Sequence, residues 1–431
     1  MSKQARYCVI GAGAAGLAAL KTLTDEGFAV DCFEKGEQVG GHWHHDYDAL
    51  HLITPKSSSF FDGFPLPASY PMYPSRELIA AYMCSYAETF GLNRMITFRT
   101  AVERIEPLGE RGRDGWRVTL SDGAVRDYTG VIVANGHLWD QNIPAVGKGY
   151  TGRSIHSGSY RNTSEIEGRV LVVGFGNSGC DLAVDAAQSR MDVTIAMRCG
   201  QVFQPKTFFG VPRGEVAALN ALPPELANMA TMSLINTVFG THENYPGMPA
   251  PETYDLEKQP PVVNSLLLYW IQHGRIKVAP GLRAIDGKRV TFTDGTEGEF
   301  DTILWATGFK TTLPFLDTSL LEWRDGVPLR TAAMTLPTTL ESLYFVGLTA
   351  PRGAQWPVYC TQSRLIARFM KQREQGTDDL AERFAGLQTA DSRIDIVRRV
   401  WQQNLDETTR QLDAIAQQPA IAVETESDIT T

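Results

Sequence analysis

An α/β chain with two copies of one parallel-sheet unit, the second interrupting the first, is the fold this sequence predicts. Three observations carry that expectation. Cys8-Val-Ile-Gly11-Ala-Gly13-Ala-Ala-Gly16 is a short apolar strand that runs through closely spaced glycines into a helix. Val170-Leu-Val-Val-Gly174-Phe-Gly176-Asn177-Ser178-Gly179 repeats the design in mid-chain. Each copy is followed by a hairpin-like stretch and a strand ending Ala-x-Gly, at Ala134-Asn-Gly136 and at Ala306-Thr307-Gly308. A G-x-G-x-x-G turn between strand and helix leaves backbone N–H groups and the positive end of a helix dipole facing a pyrophosphate. Two such turns imply two Rossmann-like dinucleotide-binding domains, each a three-layer sandwich of helices around a sheet.

The first unit opens with a strand at Tyr7–Ile10, a helix from about Ala14 to Glu26 and a second strand at Ala29–Phe33. Glu34 closes that strand 18 residues after Gly16 (34 − 16). An acid there accepts hydrogen bonds from a ribose 2′-OH and repels a 2′-phosphate. In the second unit the strand Asp192–Met197 ends at Arg198, 19 residues after Gly179 (198 − 179). A guanidinium at that edge pairs bidentately with a 2′-phosphate, which points to NADPH, and Lys206 stands close enough in sequence to add charge. The contrast of acid and cation at equivalent places says that the two sites hold different nucleotides.

Between these landmarks, Gly40-Gly41-His42-Trp43 lets the backbone pass close to a ligand, with Trp43 able to cover it. Residues 51–75 are rich in Pro, Ser and aromatic rings (Phe60, Phe61, Phe64, Tyr70, Tyr73) and read as an ordered, irregular cover. Ser75 caps a helix reaching about Phe90, and the alternation from Ile96 to Val133 reads as an antiparallel insertion. A second insertion, about 210–262, carries a Met/Leu-rich helix near 222–239. A last strand at Leu343–Gly347 leads into Gln355-Trp356-Pro357 and a helix from about Tyr359 to Lys371. The charged stretch 378–415 reads as surface helix and 417–431 as a mobile tail. The expected domains are 1–165 and 296–375 as two parts of one nucleotide unit, 166–295 as the other, and 376–431 as C-terminal helices with the tail.

Composition narrows the function. With 431 residues, 43% hydrophobic and 21% charged, the chain is an ordinary globular protein large enough for two domains. A net charge of −9 disfavours nucleic acid or an anionic membrane as partner. The start Met-Ser-Lys-Gln lacks a signal-peptide pattern and no apolar run approaches a membrane span, so a cytoplasmic protein is expected. Six cysteines lie scattered with no C-x-x-C pair, which removes the redox dithiol of a disulfide reductase and argues against a metal site. A small-molecule substrate is expected, and monomer and homodimer both stay open.

The segment Tyr150-Thr-Gly152-Arg-Ser-Ile-His156-Ser-Gly-Ser-Tyr160 resembles the F-x-G-x-x-x-H-x-x-x-[FY] fingerprint of the flavin-containing monooxygenases, with Tyr150 in place of the first Phe. The resemblance covers about residues 5–370 and extends to motif order. It implies an FAD site at Gly11, Gly13, Gly16, Glu34, Lys35, Gly41, Trp43, Val102, Ala134 and Gln362. It implies an NADPH site at Gly174, Gly176, Asn177, Ser178, Gly179, Arg198, Lys206, Ala306, Thr307 and Gly308. Thr54, Gln355 and Trp356 become candidates beside the flavin, while His156 reads as a structural group in the linker. The activity implied is NADPH- and O₂-dependent oxygenation of a soft N or S nucleophile (small amine, thioether or indole) through a C4a-hydroperoxyflavin. That adduct is the cofactor's chemistry and demands no acid/base pair. Baeyer–Villiger oxygenation of a ketone or 2-oxo acid is the alternative, although that fingerprint ends in Trp where Tyr160 stands.

Two departures from the family pattern have consequences. Trimethylamine-oxidising members carry an Asn beside the flavin, and Leu52-Ile53-Thr54-Pro55-Lys56 has none, as in the plant auxin-forming members. A shorter-lived adduct with partial loss of reducing equivalents to H₂O₂ is therefore expected. Microsomal members end in an apolar anchor, whereas this chain ends Ser-Asp-Ile-Thr-Thr, which predicts a soluble member.

Overall fold

The computed structural model describes residues 5–417. The chain divides into two compact units, one of residues 1–39, 86–136 and 313–431, the other of residues 40–85 and 137–312.

In the first unit, Arg6–Ile10 lies at the centre of a five-stranded parallel sheet. Ala29–Phe33 and then Ile96–Thr97 lie on one side, Gly130–Val133 and Leu343–Phe345 on the other. The central strand is buried on both faces from Tyr7 to Ile10, which is why it reads as a continuous apolar run rather than an alternation. The helix Ala14–Asp25 follows it, and its Leu17, Leu20 and Leu23 are fully buried. Val102–Leu108, Gly115–Leu120 and Val125–Tyr128 form an antiparallel meander, the insertion foreseen in sequence. Its start differs from expectation: Ile96–Thr97 pairs in parallel with Cys32–Phe33 and belongs to the main sheet.

The second unit repeats the plan. Arg169–Val173 is central, flanked by Asp192–Met197 and Ile276–Pro280 on one side and by Thr302–Trp305 and Arg153–His156 on the other, all parallel. The helix Asn177–Gln188 takes the place of Ala14–Asp25, and Leu282–Asp286, Arg289–Phe292 and Glu297–Glu299 form the matching meander. In both units the strand ending Ala-x-Gly pairs with the glycine-fingerprint strand. The cover, residues 51–75, contains no helix or extended strand and packs its own rings: Phe61 is fully buried and stacks on Tyr82 at 5.8 Å.

Pairing moves the expected domain limits. Arg153–His156 was expected in the stretch 1–165 with the first unit and Thr302–Trp305 in the stretch 296–375, yet the two pair with each other, and Thr302–Trp305 pairs in turn with Arg169–Val173. The reason is hydrogen bonding: Thr302–Trp305 meets its backbone donors and acceptors on both sides only between Arg169–Val173 and Arg153–His156. The stretch 378–415 is also not one surface helix. It splits into Leu380–Leu387 and Arg398–Ala416, and the latter buries Trp401, Leu405, Leu412 and Ile415 along one stripe. The tail expected at 417–431 lies outside the described residues beyond Gln417. Among the described residues no helix is long and apolar enough to cross a membrane.

Candidate functional site

Both fingerprint helices begin without a side-chain N-cap and without an acid in the first turn. Capping Ser, Thr, Asp or Asn side chains normally satisfy the orphan N–H groups of a first turn. Here glycine occupies the cap position in each, Gly13 and Gly176. The open donors and the dipole favour an anion at both places.

The glycines divide by what they must avoid. A Cβ at Gly16 would land on the carbonyl oxygen of Gly11, and one at Gly179 on that of Gly174, so these two let helix and strand close on each other. Gly11 and Gly174 have φ of +97° and +114° and press against the carbonyls of Ala134 and Ala306. Gly176 is different. Its φ is −87°, which any residue adopts, and a Cβ there would meet nothing within 4 Å. Neither backbone conformation nor protein packing requires a glycine at that position, so the cleared space fits a ligand.

At the first strand end, Glu34 is buried and held by two backbone donors, Ala12 N–H to Oε2 (2.7 Å) and Gly36 N–H to Oε1 (2.6 Å). Each carboxylate oxygen keeps a lone pair, so the group can still accept from a ribose hydroxyl. Lys35 beside it is exposed. Val102 is buried in the apolar core of the first unit. Gln362, also buried, accepts from Gly347 N–H at 3.0 Å and so ties the last helix to the strand end before it. At the start of that helix (Trp356–Glu374) Gln355 donates to the carbonyls of Pro351 and Gly353, both at 2.8 Å. Its Oε1 is buried and accepts from no group among the described residues, so it fits a ligand N–H. Trp356 is buried.

In the second unit Arg198 stands exposed at the end of its strand and makes no hydrogen bond or ion pair among the described residues. Asn177 turns its Oδ1 to Val263 N–H (2.9 Å), so its side chain braces the helix start and leaves its own N–H for a ligand. Lys206 is already engaged within the protein. Its ammonium is held by His51 and lies 5.1 Å from the ring centre of Tyr73, and burial pushes its pKa down. Gly41–His44 is a short 3₁₀ turn after Gly40 (φ +109°), and the carbonyl of Trp43 accepts from the buried Arg76 at 3.1 Å. Thr54 is half-buried, its hydroxyl 2.7 Å from that of Ser59.

The fingerprint histidine is a clamp on the Ala306-Thr307-Gly308 turn. His156 Nδ1 accepts from Gly158 N–H (3.1 Å) while Nε2–H donates to the carbonyl of Gly308 (2.9 Å), which sets a neutral tautomer. Thr307 and Gly308 are further tied to Asn142, the hydroxyl of Thr307 donating to its carbonyl and Asn142 N–H donating to Gly308 at 3.1 Å. Tyr160, fully buried, donates to Asp185 on the fingerprint helix at 2.7 Å. Burial lowers the His156 pKa below its ordinary ~6.5. The folded protein thus takes up that proton less readily than the unfolded chain, and the stability it contributes should be lost as pH falls below about 6.5. Melting temperatures at pH 7.5 and 5.5 test this: His156→Gln, which keeps one donor and one acceptor, should lose less on acidification than wild type. An equal loss would assign the acid sensitivity elsewhere.

What the sequence reading missed is a polar cluster behind the second helix start. Asp181, half-buried, accepts from Tyr47 (3.0 Å) and Asn264 (2.9 Å), and desolvation raises its pKa. Arg213, half-buried, donates to the carbonyl of Ile53 at 3.2 Å. A signal existed: Lys206-Thr-Phe-Phe209-Gly210-Val-Pro-Arg213 places two cations symmetrically about a glycine turn.

Two glycine-fingerprint sheets, each with an uncapped helix start, and opposite charges at their second strand ends define a two-nucleotide oxidoreductase. The sequence model of the family described as "FMO-like: Flavin-binding monooxygenase-like" matches residues 4–418, and the chain belongs to that family. It is 31% identical over 396 residues to dimethylaniline monooxygenase (N-oxide-forming) 2 of Oryctolagus cuniculus, covering 85% of this chain and 73% of that protein. Flavin-containing monooxygenase 3 of Rattus norvegicus is 29% identical, covering 85% and 74%. Among solved structures, a flavin-containing monooxygenase from Stenotrophomonas maltophilia superposes with TM-score 0.67 at 21% identity, over 86% of this chain and 99% of that one. Cyclohexanone monooxygenase from Rhodococcus sp. Phi1 gives 0.71 at 18%, over 96% and 98%. The chain is accordingly an NADPH-dependent flavoprotein oxidoreductase with two Rossmann-like domains, FAD as cofactor and O₂ as co-substrate.

Proposed function

We propose that this protein oxygenates a soft nitrogen or sulfur nucleophile, with FAD on the first fingerprint and NADPH on the second. The observation that carries the assignment is the opposition of Glu34 and Arg198 at the ends of equivalent strands, each beyond an uncapped helix start. FAD, once reduced by NADPH, supplies the activation of O₂. The protein's part is placement. The turn from Gly11 through Gly13 to Gly16 brings the free N–H groups of its helix start to one pyrophosphate while Glu34 accepts from a ribose hydroxyl; the turn from Gly174 through Gly176 to Gly179 serves the other, and Arg198 takes the 2′-phosphate. Gln355 Oε1 accepts an N–H from the ring system bound at the last helix. His156 and Asn142 hold the Ala306-Thr307-Gly308 turn in place.

Coupling measurements test the reading. NADPH consumed, oxygenated product and H₂O₂ are quantified with a thioether, a tertiary amine, indole and a cyclic ketone. A soft nucleophile should account for most of the NADPH, with a residue of peroxide because Leu52–Lys56 offers no Asn. Lactone from the ketone as the main product would replace the reading with carbonyl oxygenation. Peroxide equal to NADPH with every compound would end it.

A further inference from the structure

We propose that Lys206 and Arg213 form a subsite for a carboxylate carried by the substrate, so that the enzyme acts on anionic soft nucleophiles in preference to neutral ones. The inference rests on the oxygenation reading above and names its substrate class.

The two cations face each other by construction. Thr207–Phe208 pairs antiparallel with Val211–Pro212 around a turn at Phe209 and Gly210, whose φ values are +53° and +77°. One step outward, Arg213 N–H donates to the carbonyl of Lys206 at 3.0 Å, which sets the two residues opposite each other. Like charges directly opposite in an antiparallel pair destabilise it, and withdrawing them from water adds to the cost. Neither cation has a carboxylate within ion-pairing distance among the described residues.

The groups around the pair do not neutralise it. His51 donates from Nδ1 to the carbonyl of Ala49 (2.9 Å), so its Nε2 faces the Lys206 ammonium as an acceptor. Tyr73 offers a ring face to Lys206 and donates its hydroxyl to the Lys206 carbonyl at 2.8 Å. Arg213 uses one terminal nitrogen on the carbonyl of Ile53, leaving the other with no hydrogen bond among the described residues. Asp181 acts on Lys206 only at longer range and is already met by Tyr47 and Asn264. Glu215 lies near Tyr73 and takes the hydroxyl of Ser57. Two cations, a phenol and the cover residues His51 and Ile53 thus make a ledge whose missing component is an anion. Arg213 has the geometry to receive a carboxylate in a forked pair.

A carboxylate from the substrate and a phosphate of NADPH share this chemistry, and saturating NADP⁺ separates them. Methylthiopropanoate and indoleacetate, each against its primary amide, are titrated calorimetrically into FAD-loaded enzyme held in excess NADP⁺. The acids should bind about ten- to hundredfold more tightly than the amides, as a charge-assisted pair provides. That preference should collapse in Arg213→Met and Lys206→Met and return in part in Arg213→Lys. The acid-to-amide ratio of kcat/KM should follow it. Equal binding of acid and amide by wild type, or no binding of either, overturns the proposal. So does competition between acid and NADP⁺, which would give the pair to a cofactor phosphate. If the acids bind as expected but no compound is oxygenated, the subsite stands and the oxygenation reading falls.

Discussion

Gly176→Ala protein should purify folded and yellow, yet bind NADPH about a hundredfold more weakly than wild type. The backbone at Gly176 suits alanine, and the added methyl would touch no protein atom within 4 Å. Stability should therefore stay within about 0.5 kcal/mol of wild type, as for other substitutions that disturb no packing. The methyl would occupy the space kept open at the first turn of the helix, where a pyrophosphate must approach the backbone closely. A displacement of ~1 Å there costs on the order of 10² in rate through misplacement of the reacting groups. The companion Gly179→Ala should behave oppositely. Its Cβ would land on the Gly174 carbonyl, so the unit should fail to fold and the protein be lost to aggregation. Flavin content, melting temperature and NADPH KM read the two cases separately. An unchanged KM in Gly176→Ala would remove the pyrophosphate from this helix.

The second large effect is on cofactor choice. Arg198→Ala should raise KM for NADPH ten- to hundredfold, the equivalent of about 1.5–3 kcal/mol for a charge-assisted pair, while KM for NADH changes little. Arg198 is exposed and bonds to nothing among the described residues, so its removal leaves no partner stranded and should not lower the melting temperature. An equal rise for both nucleotides would make Arg198 a general support of the site and not a reader of the 2′-phosphate.

Most of what marks the candidate nucleotide sites was legible because it is local. The strand, the glycine spacing and the helix start lie within one stretch of about ten residues, and Arg198 and Glu34 sit where the next strand ends. Helix limits also followed from local signals: Arg76–Thr89 begins after Ser75, and Pro224–Phe239 matches its apolar run. The misreadings involve partners remote in sequence. Ile96–Thr97 looked like the start of the meander because two residues carry no period of their own, and only Cys32–Phe33 beside them decides their sheet. Arg398–Ala416 reads as charged in sequence, yet its stripe of Trp401, Leu405, Leu412 and Ile415 is buried.

By itself the sequence determined that the chain uses two nucleotide cofactors and which family it belongs to. Strand, turn and helix start are short-range structures, and their glycines are dictated by backbone geometry within a few residues. Tertiary structure decided which strands complete each sheet, because hydrogen-bond partners such as Ser157 N–H and the Trp305 carbonyl lie 148 positions apart (305 − 157). It also decided that Gly176 clears space that no protein atom uses, and that His156 is neutral and clamped between Gly158 and Gly308. Above all it set Lys206 opposite Arg213 with no carboxylate in reach, since charge compensation depends on what surrounds a side chain in space and not on its neighbours in the chain.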